Sequence, residues 1–287
     1  MMDTTNGTQL GYALSNDHAY SAAHHEALAE LLDPATTARL TTLATSLGGF
    51  SGSRCLVLGA GGGSIARWLA NQVGPLGQVI ATDLDIRHIP SHPQLCAIRH
   101  DLRDPLPDQV VDGDFDLICL RLVLLHIAER EQILAHLARL LTPGGVILIE
   151  DWAPLRTQDE VIVAAPSPEA AELYGRFQHT LGTKVFEESG LDPTWARRVH
   201  PLLLAVGLVD VHTEIHASYW RHSDPGRRMI AAVLDQVRPR LREHFTDDDL
   251  GRVLQLLDDP GLIIHGHPMY ATSGRHSISP DSRRAFG

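Results

Sequence analysis

The residues best able to do chemistry in this chain are glycines and carboxylates set at the ends of apolar runs. Between Arg54 and Asp85 the sequence reads RCLVLGAGGGSIARWLANQVGPLGQVIATDLD. Gly59, Gly61, Gly62 and Gly63 lack Cβ atoms, so the backbone can turn sharply there and a ligand can come close to it. A helix opening behind them would aim free N–H groups at the same place. Asp83 follows about 20 residues after the last glycine, a spacing that sets a carboxylate beside both hydroxyls of a ribose. A nucleotide-like ligand suits this set; a tight turn with no ligand is the plainer alternative. Spacing alone leaves the ligand open. From Gly59 the pattern is G-x-G-x-G, and from Gly61 to Ala66 it is G-x-G-x-x-A, which also fits a dinucleotide turn.

Further along, Asp101 and Leu102 follow a third apolar run. An acid there can accept from an amino group of a flat base, and Leu102 adds apolar contact and an N–H; a turn or helix cap is the structural alternative for Asp101. Arg121 and His126 follow a fourth run, and Glu150 and Asp151 end a fifth. His126, Asp151 and Glu150 are the general-base candidates by position, although a histidine at His126 also suits a core. Of 17 histidines, His24-His25 are adjacent and His265-x-His267 alternates along one face of a strand. No carboxylate accompanies them in a metal-binding pattern, so no metal site is assigned.

These groups need a frame, and the periodicity supplies one. Strands are expected at Cys55–Leu58, Val79–Thr82, Gln94–Arg99, Phe115–Leu120 and Val146–Ile149, with helices over Ile65–Val73 (Ser64 as cap) and Glu129–Leu141 between them. Ahead of the first strand, helices are expected from about His18 to Leu32 and from Ala35 to Leu47, broken at Asp33-Pro34. Behind the fifth strand come a loop over Thr157–Pro168, a helix to Gly182 capped by Ser167, and another over Trp195–Val206. A sixth strand is expected at Gly207–Val211, then a long helical insertion over Arg221–Leu257 with caps at Asp224-Pro225 and Thr246. A last strand should run from Leu262 to Thr272. The organisation expected is an N-terminal helical lid (1–50), a ligand-binding core (51–155), substrate cap helices with the last two strands (156–275), and a loose tail (276–287).

With 287 residues and 44% hydrophobic composition, the chain can bury a large core. Its net charge of −11 and lack of a long Lys/Arg run disfavour a nucleic-acid partner. Cys55, Cys96 and Cys119 sit in apolar runs without a C-x-x-C spacing, which reads as buried thiols in a cytoplasmic protein. Neither a signal peptide nor a membrane span is expected.

Residues of about 50 to 152 resemble the core of class I S-adenosylmethionine (SAM) methyltransferases. The resemblance is carried by LGAGGG at 58–63, ATDLD at 81–85, HDLRDPLP at 100–107, FDLICLRLVLLH at 115–126 and LTPGGVILIED at 141–151. It implies a Rossmann-like, doubly wound α/β fold with a seven-stranded sheet, mostly parallel, its last strand reversed. It also implies SAM as cofactor, held by Gly59, Ala60, Gly61 and Gly63, by Asp83 and Leu84 at the ribose, and by Asp101 and Leu102 at the adenine. Arg121 would border the methionine part, and Tyr12 resembles an N-terminal tyrosine that some relatives place over the cofactor. One departure stands out: the family's acid two residues before the first glycine is replaced by Val57, which cannot accept a hydrogen bond.

The resemblance implies a methyltransferase acting on a metabolite or natural-product acceptor, with His126 and Asp151 as candidate catalytic groups and a homodimer as a candidate assembly. Two alternatives share the fold: a SAM-binding catalyst of a non-methylating reaction such as a cyclisation, and a non-catalytic SAM-binding partner subunit.

Overall fold

The computed structural model describes residues 21–278; Tyr12 lies outside them. The chain opens with α1 (Ser21–Leu47) and then alternates β1 (Arg54–Leu58), α2 (Ser64–Gln72), β2 (Gln78–Asp83), β3 (Leu95–Arg99), α3 (Asp108–Val111) and β4 (Phe115–Arg121). There follow α4 (Arg130–Arg139), β5 (Leu141–Trp152), α5 (Gln158–Val161), β6 (Ile162–Ala164), α6 (Pro168–Thr180) and α7 (Trp195–Ala205). The last elements are β7 (Val209–His216), β8 (Tyr219–Trp220), α8 (Pro225–Leu241), α9 (Asp247–Asp258), β9 (Ile263–His265) and β10 (Met269–Arg275).

Seven strands form the main sheet in the order β3-β2-β1-β4-β5-β10-β7. The pairs among β1 to β5 are parallel, and β10 runs antiparallel to both of its neighbours. This is the doubly wound sheet with one reversed strand that the sequence implies. Alternation along the strands builds its two faces. Leu56 and Leu58 pack on one side with Leu120, Ile149 and Trp195; Cys55 and Val57 pack on the other with Leu40, Leu69 and Cys119. The central strands β1, β2, β4 and β5 are therefore buried on both faces, which explains their unbroken apolar runs, whereas the edge strands β3 and β7 are half-buried and largely exposed, respectively. The order reverses between β1 and β4, so the carboxyl ends of those strands open a crevice where ligands of such sheets lodge.

A second core lies outside the sheet. Tyr174 and Phe177 of α6, Leu234 of α8, Leu250 of α9 and Ile264 of β9 pack together in it. A three-stranded sheet, β6-β9-β8, borders this cap.

Several sequence expectations change here. The helix break at Asp33-Pro34 does not occur: α1 is continuous through Pro34. Proline removes one helical hydrogen bond, but the turn around it is held from outside, by Arg121 on Asp33 and by Thr36 on Glu150. Ser64 is not a cap; the residue before α2 is Gly63 in a left-handed conformation, and the Ser64 hydroxyl donates to Asp33 instead. The expected last strand is two, because Gly266, His267 and Pro268 turn the chain from the small sheet into the large one. The segment before α6 carries α5 and β6 instead of a loop alone, while the insertion over Arg221–Leu257 forms α8 and α9, starting at the expected caps Asp224 and Thr246. Past β10, His276 donates its N–H to the Gly145 carbonyl, and residues 279–287 of the expected tail lie outside the described residues.

Candidate active site

The crevice at the sheet's reversal point is the mouth of a cavity of about 1240 Å³. Its floor is the glycine turn after β1, and its roof comes from α1, α6 and α8. The three turn glycines with positive φ do different work. Gly59 has φ +62°, and a Cβ there would stand 2.3 Å from Val123. Gly63 has φ +74° and lies against Ile89 and Pro90, so a side chain would collide with backbone. Both are needed to close the turn. Gly61 has φ +53°, and a Cβ on it would point into open space, the nearest atoms being those of the His25 ring at 3.9 Å. Gly61 is therefore the position that gives a ligand close access.

Asp83, at the tip of β2, is tied to that turn. One carboxylate oxygen accepts from the Gly61 N–H at 2.8 Å, and the other from the Asp85 N–H at 3.0 Å. Two backbone donors thus set the carboxylate's orientation while it still lines the cavity. Leu84, Leu102 and Asp101 also line it. Asp101 is clasped by the Arg103 guanidinium at 2.9 and 2.5 Å, which holds its carboxyl below the usual range.

At the tip of β4, Arg121 donates to the Thr36 hydroxyl at 3.0 Å and to Asp33 at 2.8 Å. Thr36 in turn donates to Glu150 at 2.5 Å, and Arg39 reaches the other Glu150 oxygen at 2.8 Å. This chain of bonds fastens α1 across the ends of β4 and β5. Sequence reasoning missed Asp33, Thr36 and Arg39, because nothing local pairs residues 85 to 114 positions apart; their only signal is that they recur on one face of α1 at helical spacing.

The two expected catalytic residues sit differently. His126 lines the cavity beside the Phe186 ring. Burial, with help from Arg130 and His24, lowers its pKa to about 3, so the imidazole is neutral at pH 7 and a weak proton acceptor. Asp151 does not reach the cavity. Its oxygens accept from the Trp195 indole N–H at 2.8 Å and from the Val123 N–H at 3.2 Å, and it is fully buried. Burial raises its pKa to about 7. Its place makes it a brace between β5, α7 and the segment after β4, which corrects its expected role at the pocket. Glu150 is likewise buried with both oxygens taken. Among the described residues no cluster of three metal-ligating side chains occurs.

Together the strand order, the glycine turn and the tethered acid define a nucleotide-cofactor-binding domain of the doubly wound α/β class. Residues 56–147, about a third of the chain, match the model of the methyltransferase domain family. Among curated proteins, the chain is 30% identical over 119 residues to the methyltransferase GfsG of Streptomyces halstedii, covering 40% of this chain and 43% of that one. It is 33% identical over 105 residues to the methyltransferase str2 of Strobilurus tenacellus, covering 35% and 36%. The chain thus spans less than half the length of these relatives. A solved Haemonchus contortus phosphoethanolamine N-methyltransferase in complex with SAM aligns with a TM-score of 0.41 at 17% identity, over 79% of this chain and 49% of that one.

SAM is the cofactor of this domain family, and the residues present fit its adenosyl half. The open cradle at Gly61 clears a path to the backbone, and the oriented Asp83 carboxylate has the chemistry to accept from a ribose diol. The methionine half meets a different donor set from the family's usual one. Val57 is apolar and lines the cavity, as does Arg121, whose guanidinium pairs with Asp33 at 2.8 Å.

Proposed function

We propose that the protein is a SAM-dependent methyltransferase acting on a small, largely apolar acceptor. One observation carries the reading: the glycine cradle with its tethered Asp83 opens into the same cavity as the apolar cap, and that cavity holds about 1240 Å³. A single drug-sized ligand occupies about 300–1000 Å³, so this space can take a cofactor and a second molecule together.

When bound, SAM supplies a methyl group on a sulfonium, an electrophile with a good leaving group. The protein's task is then to position the acceptor and keep water out. Asp83, Leu84, Asp101 and Leu102 hold the adenosyl part, Gly59, Ala60, Gly61 and Gly63 shape the turn beneath it, and Arg121 borders the amino-acid part. Roof residues such as Leu28 of α1 and Met229 of α8 close over the acceptor. His126, neutral at pH 7, orients an acceptor more readily than it deprotonates one. The net charge of −11 and the lack of a long Lys/Arg run support a small-molecule acceptor over a nucleic acid.

Calorimetric titration with SAM, S-adenosylhomocysteine and NAD tests the reading. Micromolar binding of both adenosyl ligands and none of NAD is expected. NAD binding without adenosyl binding would overturn it. Turnover of an acceptor without S-adenosylhomocysteine release would move it to a non-methylating reaction, in line with the loss of the acid at Val57.

A further inference from the structure

The cap end of the cavity is built around three rings. Trp152, at the end of β5, lies 5.6 Å from the His267 ring at 65°, and Trp220 lies 6.1 Å from it at 71°. The two indoles are 6.4 Å apart. Trp220 cannot move aside. A Cβ on Gly226 would sit 2.2 Å from its ring and one on Gly266 2.5 Å, so only glycine fits beside it at both positions. His267 is wedged edge-on into this arrangement and, with Trp152, lines the cavity.

The hydrogen bonding of His267 settles which way its ring can act. The Leu155 backbone N–H donates to Nδ1 at 3.1 Å. A backbone N–H can only donate, so Nδ1 carries the lone pair and the proton of the neutral ring is on Nε2. Burial keeps the ring neutral, its pKa lowered to about 4. Among the described residues no protein group bonds Nε2. The rest of this end is apolar, with Ile230, Val233 and Leu181 on its walls. Arg156 is occupied by Glu187 at 2.5 Å, and the Gln178 amide donates to the Tyr174 hydroxyl at 2.7 Å.

We propose that this end of the cavity selects flat, conjugated acceptors bearing an oxygen that accepts a hydrogen bond from His267 Nε2–H. The inference rests on the methyltransferase reading only for the word acceptor; the recognition chemistry stands on the rings themselves. Indole and imidazole edges with a branched aliphatic wall favour a planar π-system over a globular aliphatic one. A donor with no protein partner in an apolar surround discriminates strongly, because a ligand without an acceptor leaves it unpaired. The donor also excludes a role for His267 as the base that takes a proton from that oxygen. It holds a carbonyl, or stabilises an oxyanion conjugated with the atom that is attacked.

The test uses two nearly isosteric probes, 1-acetonaphthone and 1-ethylnaphthalene, which differ in one carbonyl oxygen. Their dissociation constants are measured by ligand-observed NMR on the full chain, with and without S-adenosylhomocysteine. About tenfold tighter binding of the ketone is expected, the value of one satisfied hydrogen bond. His267→Phe keeps a ring and removes the donor, so the preference should fall below about twofold while ethylnaphthalene binds as before. His267→Gln retains an oxygen for Leu155 and an N–H for the ligand, and should restore most of the preference. Equal binding of the two probes to the unaltered protein overturns the inference, whether or not the variants fold, as does a preference that survives His267→Phe. The adenosyl titration keeps the two readings apart. S-adenosylhomocysteine binding without ketone preference overturns this inference alone, and ketone preference without S-adenosylhomocysteine binding overturns the methyltransferase reading alone.

Discussion

At the scale of single residues, the site separates groups that hold the turn from groups that face the ligand. Gly59 and Gly63 are pressed against Val123, Ile89 and Pro90, so larger residues there would disturb folding. Gly61 faces open space. Gly61→Val should therefore fold with a modest strain cost at its positive φ, roughly 1 kcal/mol, yet lose adenosyl binding because its methyls enter the cradle. Calorimetry beside a thermal melt checks this; normal S-adenosylhomocysteine affinity in a folded variant would refute the cradle. Asp83→Ala removes a carboxylate oriented by two backbone donors. Its S-adenosylhomocysteine affinity should drop by about 1–3 kcal/mol, the loss of charge-assisted hydrogen bonds. These residues were legible in the sequence because their signal is local: glycines at fixed offsets and an acid one βαβ unit later. His267 was legible only as half of a His-x-His pair. Its actual partner, the Leu155 N–H, lies 112 positions away, and no spacing rule reaches that far.

At the scale of elements, α1 shows how tertiary bonds override a local stop signal. Asp33-Pro34 reads as a helix end, yet the helix continues because its middle turn is bonded to β4 and β5. The anchor is Glu150, with no exposed surface and both oxygens engaged by Thr36 and Arg39. Arg39 also reaches Glu214 of β7 at 2.7 Å, so one guanidinium ties α1 to two strands. Removing one partner of a buried charged network leaves the others unpaired. Glu150→Ala should destabilise the protein by about 3–5 kcal/mol, and Glu150→Gln by less, since it still accepts from Thr36. Urea unfolding would show this as a lower midpoint, and hydrogen exchange should show α1 opening before the sheet. A variant as stable as the parent would mean that α1 is held by its apolar face alone. The central parallel strands themselves were readable because burial on both faces forces unbroken apolar runs. The cap was not, since α6, α8 and α9 pack on one another and on a small sheet whose strands have two or three residues, too short to carry a period.

At the scale of the whole molecule, buried ionisable groups make stability depend on pH in two opposing ways. His24, His126 and His267 have pKa values lowered to about 4, 3 and 4, chiefly by burial. Below the ordinary histidine value of 6.5 the unfolded chain binds protons that the folded chain refuses, so these three groups make stability rise with pH up to about 6.5. Asp151 acts the other way. Burial raises its pKa from 3.8 to about 7, so between those values the folded chain holds a proton that the unfolded chain has lost, and stability falls as pH rises. With three groups against one, the melting temperature should climb from pH 4 to about pH 6.5. Above that, the histidines no longer contribute and Asp151 is completing its ionisation, so the curve should flatten near pH 7. Asp151→Asn removes the opposing slope while keeping an oxygen for the Trp195 indole. Its melting temperature should climb more steeply over the same range than the parent's. Melting curves at half-unit steps from pH 4 to 8 decide the matter. Parallel profiles for parent and variant would show that Asp151 ionises in the folded protein as it does in the unfolded chain, and that its buried oxygens carry a charge throughout.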